Sequence, residues 1–112
     1  MRVGCPKEIK NNEYRVGLTP SATREYVGHG HQVIIETGAG AGIDASDADY
    51  EAAGATIAAD AAEVFKTADM VVKVKEPQPA EWAQLREGQI LYTYLHLAPD
   101  PKQTEGLIAS GV

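Results

Sequence analysis

The feature that most constrains this chain is a rhythm of short apolar runs alternating with segments that carry helix-start and helix-stop signals. The clearest run is Gln32–Glu36, whose centre is Val33-Ile34-Ile35. A β-branched run without polar alternation reads as a parallel strand buried on both faces. Four further runs read as strands: Arg2–Cys5, ended by Pro6; Ala55–Ala58; Met70–Lys75, terminated by Glu76-Pro77; and Ile90–Leu95, the longest of them.

The intervening segments are punctuated as helices. Thr19-Pro20 combines an N-cap oxygen with a proline at the first helical position, where no N–H is needed. Ala22, Tyr26 and Val27 then share one helical face, and Gly28 and Gly30 end the helix. Ser46 caps a helix that runs through Ala53 and is closed by Gly54. A third helix covers Asp60 to Lys66, with its acidic residues near the start, where the helix dipole favours them. Glu81–Leu85 reads as a short helix and Pro101–Ala109 as the last, stopped by Gly111.

Strands alternating with helices predict an α/β fold: an open, mostly parallel sheet with helices on both faces, Rossmann- or flavodoxin-like. Right-handed crossovers then restrict the topology. Val112 reads as the first residue of another strand, so the chain looks truncated, a piece of a longer one. Its 112 residues suit one compact domain.

Composition excludes several classes of function. Ten Lys and Arg face 16 Asp and Glu, for a net charge of −6. Nucleic acid and anionic membrane surfaces both require a basic footprint that is lacking here. One cysteine rules out a disulfide framework. No apolar run approaches the roughly 18 residues of a membrane span. A soluble, acidic, cytoplasmic domain acting on a small molecule is the expectation.

In an open parallel sheet, ligands bind beyond the carboxyl ends of the strands. Three chemically capable residues fall after predicted strands there: Arg15, Lys75 and His96. Two fixed cations and an imidazole suit a small carboxylate with a neighbouring carbonyl. Arginine grips a carboxylate with a bidentate fork, lysine polarises a carbonyl oxygen, and histidine exchanges a proton near neutrality. Each has a plainer reading. Arg15 pairs with Glu8 or Glu13, and His96 caps a strand in a satisfied hydrogen-bond network. Lys73 and Lys75 alternate along a strand, so one of them points away, and Lys75 lies nearer the carboxyl end.

Other motifs are weaker. His29 and His31 flank Gly30 at the amino end of the next strand, without a carboxylate or cysteine to complete a metal set. Cys5 reads as a small buried apolar residue. Gly38-Ala39-Gly40-Ala41-Gly42 suggests a dinucleotide fingerprint, but Ile43 stands where the third glycine belongs and the next helix begins too late.

Several stretches carry a resemblance to the alanine dehydrogenase family. They are Pro6-Lys7-Glu8-Ile9-Lys10-Asn11-Asn12-Glu13-Tyr14-Arg15-Val16 with Thr19-Pro20, Gly30-His31-Gln32-Val33, Glu36-Thr37-Gly38-Ala39-Gly40, Val72-Lys73-Val74-Lys75-Glu76-Pro77 and Leu95-His96-Leu97-Ala98. Transhydrogenase α subunits share the outline, but usually lack the lysine and histidine that stand here as Lys75 and His96. The resemblance implies reversible oxidation of L-alanine by NAD to pyruvate and ammonium. It implies that Arg15 and Lys75 bind the substrate and that His96 is the catalytic acid and base. It further implies that residues 1–112 are the amino-terminal segment of a substrate domain. The NAD-binding domain, the acidic catalytic partner and a returning carboxy-terminal segment lie elsewhere, and the assembly is a cytoplasmic homo-hexamer. On this reading the segment alone is inactive. Two other readings stand beside it: a transhydrogenase α-subunit segment with a membrane-associated partner, and a non-catalytic module that binds a small carboxylate or assembles with a separate chain.

Overall fold

A computed structural model describes all of residues 1–112. Five strands form one wholly parallel sheet: β1 (Arg2–Cys5), β2 (Gln32–Glu36), β3 (Thr56–Ala58), β4 (Met70–Val72) and β5 (Ile90–Tyr92), in the order β3-β2-β1-β4-β5. Val3 lies opposite both Val33 and Met70, and Gly4 opposite Ile34 and Val71. The order reverses beside β1. After β1 the chain steps outward to β2 and β3, then returns to the other side as β4 and β5. The gap between the carboxyl ends of β1 and β4 is therefore the topological switch point, where such sheets hold ligands.

The helices begin where their caps dictate. Thr19 accepts from the Ala22 amide at 3.1 Å to start α1 (Pro20–Gly28). Ser46 and Asp49 form a reciprocal capping box at α2 (Asp47–Ala52). Asp60 accepts from the Glu63 amide at 2.9 Å to start α3 (Ala61–Thr67). Short α4 (Pro79–Trp82) starts with the Glu81 carboxylate accepting from the Gln78 amide, and α5 (Pro101–Ser110) with Asp100 accepting from Gln103.

Side-chain alternation along β1 and β2 divides the core. Val3, Cys5, Val33 and Ile35 point to one face, where they join Leu18, Tyr50 and Val72 and pack against Ala22, Tyr26 and Val27 of α1. The opposite face holds a smaller cluster of Phe65, Ala68, Val71 and Leu85, with Leu91 and Leu107 against it. Helices thus cover both faces, as the alternation of strands and helices predicts. Fully burying one such side chain contributes about 1.5–3 kcal/mol. Cys5 is wholly buried and its thiol pKa is pushed up to about 12 by burial, which makes it an inert core residue. No helix is long and apolar enough to cross a membrane.

Four expectations need correction. β4 stops at Val72 rather than reaching Lys75. Its last ladder bond runs from the Lys73 amide to the Tyr92 carbonyl, after which the Glu8 side chain takes the amides of Val74 and Lys75 away from any strand partner. β5 stops at Tyr92, because the Thr93 hydroxyl turns to the Lys75 carbonyl and His96 adopts a left-handed backbone at φ 51°. α4 begins at Pro79, two residues before the expected start, because proline suits the first turn and Glu81 caps it from inside. Val112 joins no strand; its amide donates to the Ser110 hydroxyl and its side chain packs on the smaller cluster.

Candidate functional site

The switch point is built by two loops. The first follows β1 and carries Lys7 to Leu18; the second follows β4 and carries Lys73 to Gln78. Their backbones meet closely at Gly17, where a Cβ would lie 2.6 Å from the Val72 carbonyl oxygen. A third loop, after β2, leans on the first: a Cβ at Gly42 would overlap the Tyr14 carbonyl. These two glycines let three loops share one mouth.

Buried between the first two loops is an ionic cluster. The Lys73 ammonium lies 3.1 Å from Glu8 Oε1 and 3.2 Å from Glu81 Oε2, with the three side chains 1%, 2% and 3% exposed. Glu8 also accepts from the amides of Val74 and Lys75, at 3.1 Å each. Two carboxylates share one ammonium. Burial pushes the Glu81 carboxyl above its ordinary value, against the pull of Lys73. Charges out of water persist only when paired and hydrogen-bonded, and this cluster meets that condition.

Lys75 and His96 are brought together. They line one cleft of about 330 Å³ with Lys10, Glu76, Pro99 and Asp100. Lys10 forms an ion pair with Glu76, whose second oxygen is buried without a partner. His96 does not sit directly on a strand end. It stands four residues past β5, exposed, and its ring makes no hydrogen bond within the chain. Both the strand-capping role and the satisfied network of the plainer reading are therefore absent. His96 has a positive φ, uncommon at a non-glycine residue, and its side chain lines the cleft with Lys75.

Arg15 lies in a neighbouring cleft of about 380 Å³, lined also by Lys7, Glu8, Glu13 and Tyr14. Its fork is occupied. Nη2 and Nε donate to the two Glu13 oxygens at 2.9 and 3.0 Å, and the backbone amide adds a third bond. The Arg15 guanidinium beside Glu13 holds that carboxyl down to about 2, with a smaller pull from Lys75. Of the two partners allowed by the sequence, Arg15 takes Glu13. The Arg15 side chain remains 64% exposed, and the Lys75 charge exerts only a minor pull on its partner Glu13.

The structure brings Lys75 and His96 to one cleft and leaves Arg15 in the next.

The glycine loop does not fit a dinucleotide. Four of its amides are already used: Gly38 donates to Asp47 Oδ1 at 3.0 Å, Ala39 to the Glu36 carbonyl, Ala41 to the Gly38 carbonyl and Ile43 to the Gly40 carbonyl. The Thr37 hydroxyl and Gly38 amide hold the Asp47 carboxyl below its ordinary range, so a pyrophosphate approaching here meets a carboxylate. His31 Nδ1 meets the amino terminus at 3.1 Å, and His29 lies 3.8 Å from Glu25, so the two histidines have separate partners at the far end of the sheet.

The Glu8–Lys73–Glu81 cluster is what sequence reasoning missed. Strand alternation sends one of Lys73 and Lys75 away from the mouth, and the sequence offers Glu8 only as a partner for Arg15. A usable signal exists: Glu8 follows β1 by three residues and Lys73 follows β4 by one, and those strands are neighbours once the sheet order is known.

Similarity to known proteins agrees with this architecture. The family described as alanine dehydrogenase/PNT, N-terminal domain, matches residues 4–112. The alanine dehydrogenase of Halomonas elongata is 56% identical over 111 residues, covering 99% of this chain and 30% of that one. A solved L-alanine dehydrogenase superposes with a TM-score of 0.95 at 50% identity, over 98% of this chain and 30% of its own. A transhydrogenase from Sinorhizobium meliloti superposes with a TM-score of 0.93 at 30% identity, over 99% of this chain and 33% of its own. The chain therefore spans about 30% of the length of the relatives it matches.

Proposed function

The chain belongs to the alanine dehydrogenase/PNT N-terminal domain family, and from that premise we propose that residues 1–112 form the substrate-binding segment of an alanine dehydrogenase. The observation that carries this reading is the shared cleft of Lys75 and His96 beside the Arg15 loop, at the switch point of the sheet. The two solved folds superpose almost equally well, so fold alone does not separate the two activities. Sequence favours the dehydrogenase, with 50% identity against 30%.

The proposed reaction is pyruvate, ammonium, NADH and a proton to L-alanine, NAD and water, and its reverse. NAD supplies the redox chemistry and is held outside this chain, whose own glycine loop does not fit it. Arg15 releases Glu13 and forks the substrate carboxylate. The Lys75 ammonium lies on the keto oxygen and stabilises the negative charge that develops there when ammonia adds. His96 relays two protons from the added nitrogen to that oxygen, which leaves as water as the C–N double bond forms, and in the reverse direction it takes protons from the attacking water. The family reading adds an NAD-binding domain and a returning segment beyond residues 1–112, a homo-hexamer and a cytoplasmic site of action. The segment alone has no turnover on this account.

The test is alanine-dependent reduction of NAD by the whole protein that carries this chain. Turnover that requires L-alanine supports the reading. Hydride exchange between NADH and an NADP analogue without alanine would instead assign the chain to a transhydrogenase. Pyruvate binding without either activity would leave it a carboxylate-binding module.

A further inference from the structure

We infer that Glu8 is a positioning residue that fixes Lys75 in the substrate mouth. This rests on the proposed role of Lys75 and deepens it.

The argument starts from the backbone. At Val74 the chain has left the sheet, so the amides of Val74 and Lys75 have no ladder partner. Buried amides must be satisfied. Glu8 answers both, one with each carboxylate oxygen. On the far side of the same residue, the Thr93 hydroxyl donates to the Lys75 carbonyl at 2.8 Å. The Lys75 main chain is therefore clamped at its N–H by one side chain and at its C=O by another. A lysine side chain has a flexible four-carbon stem, so its ammonium can be aimed only as well as its backbone is held.

Lys73 completes the device. A lone Glu8 carboxylate at 2% exposure would be costly, and the Lys73 ammonium neutralises it. Lys73 is itself steadied by Glu81 at the start of α4. Buried ion pairs are often no more stabilising than apolar side chains of the same volume. Charge balance alone also leaves unexplained why both Glu8 oxygens are aimed at residues 74 and 75. Glu8 further lines the Arg15 cleft, so one carboxylate spans the two loops that carry the proposed substrate cations.

The competing account is that Glu8 only neutralises Lys73. A double-mutant cycle separates the two, using pyruvate kcat/KM of the whole protein for wild type, Glu8→Gln, Lys75→Ala and the double variant. A glutamine keeps one acceptor but loses the second, so one clamp bond fails. Glu8→Gln is expected to lower pyruvate kcat/KM about tenfold to a hundredfold, the scale of a misplaced catalytic group, with KM for NADH unchanged. In the Lys75→Ala background the same substitution is expected to cost no more than about twofold. An equal loss in both backgrounds overturns the positioning role while leaving the pocket reading intact. Wild-type kinetics in Lys75→Ala overturn the pocket reading itself, and the role of Glu8 with it. If Glu8→Gln does not fold because Lys73 is left with less compensation, the cycle is run with Glu8→Gln/Lys73→Met. The same loss confined to the Lys75-containing background supports the inference, and a loss independent of Lys75 overturns it.

Discussion

On one side of the switch point, the chain from β1 to β3 supplies nine of the ten buried apolar residues of the larger cluster, Val72 of β4 being the tenth, and α1 and α2 pack there. On the other side, β4 and β5 are three residues each, meet the smaller cluster of four buried residues through Val71 and Leu91, and leave Tyr92 68% exposed. Here side chains grip backbone: Glu8 on residues 74 and 75, Thr93 on Lys75, Gln89 and Arg86 on the carbonyls of Phe65 and Ala68. The first half is held mainly by packing, and the second adds a small number of directed polar bonds. The proposed chemistry sits on the polar half, where loops after strands expose side chains to a ligand and a few bonds set their aim.

The sharpest way to test this division is to remove a reacting group from the polar half. His96→Ala in the whole protein is expected to lower kcat by about 10²–10⁴-fold, the usual weight of a general acid–base. The ring makes no bond within the chain, so stability stays within about 0.5 kcal/mol. Steady-state kinetics and thermal melting on the same sample check both halves of that statement, and an undiminished kcat removes His96 from the site.

In the apolar half the order of effects reverses. Ile35→Ala empties a fully buried position between β1 and β3. It is expected to cost about 2–5 kcal/mol in urea denaturation. In the surviving folded fraction, KM for pyruvate stays unchanged. A large KM shift would show that packing under β2 reaches the mouth.

The ionic cluster gives an intermediate contrast. Glu8→Gln strips a carboxylate from two amides and an ammonium, and is expected to destabilise by about 3 kcal/mol. Glu81→Gln removes the excess carboxylate, and is expected to change stability at pH 7 by less than about 1 kcal/mol. The sign follows from the raised Glu81 carboxyl. An acid with a raised folded pKa binds its proton more tightly when folded, so its contribution is greatest below the ordinary carboxylate range and declines as pH rises through it. Denaturation of wild type and Glu81→Gln across pH 4 to 8 checks this, and a wild type that gains stability relative to the variant over that window contradicts it.

The smallest effect concerns Arg15. Glu13 holds the guanidinium fork, and its carboxyl lies near 2. That is a depressed acid, so the pair is present above the ordinary carboxylate value and is lost only as pH falls toward 2. Glu13→Gln is expected to lower KM for pyruvate by a few-fold, because one competitor for the fork loses its charge. Between pH 5 and 8 the difference between wild type and variant stays constant. A KM that rises shows that Glu13 orients Arg15 instead of competing for it.

The two halves also differ in how much of them is legible in sequence. The apolar half is nearly transparent: Thr19-Pro20, the Ser46 cap, Asp60 and the Val33-Ile34-Ile35 run each act locally, and the elements fall where local physics puts them. The polar half is not. The ends of β4 and β5 depend on Glu8 and Thr93, and Glu8 lies 66 and 67 residues away from the amides it takes. Lys73 makes the last ladder bond of β4 and turns into the Glu8–Glu81 cluster, while Lys75, past the strand, lines the cleft with His96, a separation that depends on Glu8 as much as on strand alternation. Arg15, Lys75 and His96 were visible as chemical types after strands, but the Glu13 grip on Arg15 and the left-handed turn at His96 became visible only in three dimensions.

The most direct test of the central claim is a crystal structure of the whole protein with pyruvate bound. The account predicts the pyruvate carboxylate on the Arg15 fork with Glu13 displaced, and the keto oxygen within hydrogen-bond reach of Lys75 and His96. Pyruvate bound elsewhere, with the Arg15–Glu13 pair still closed, would contradict it.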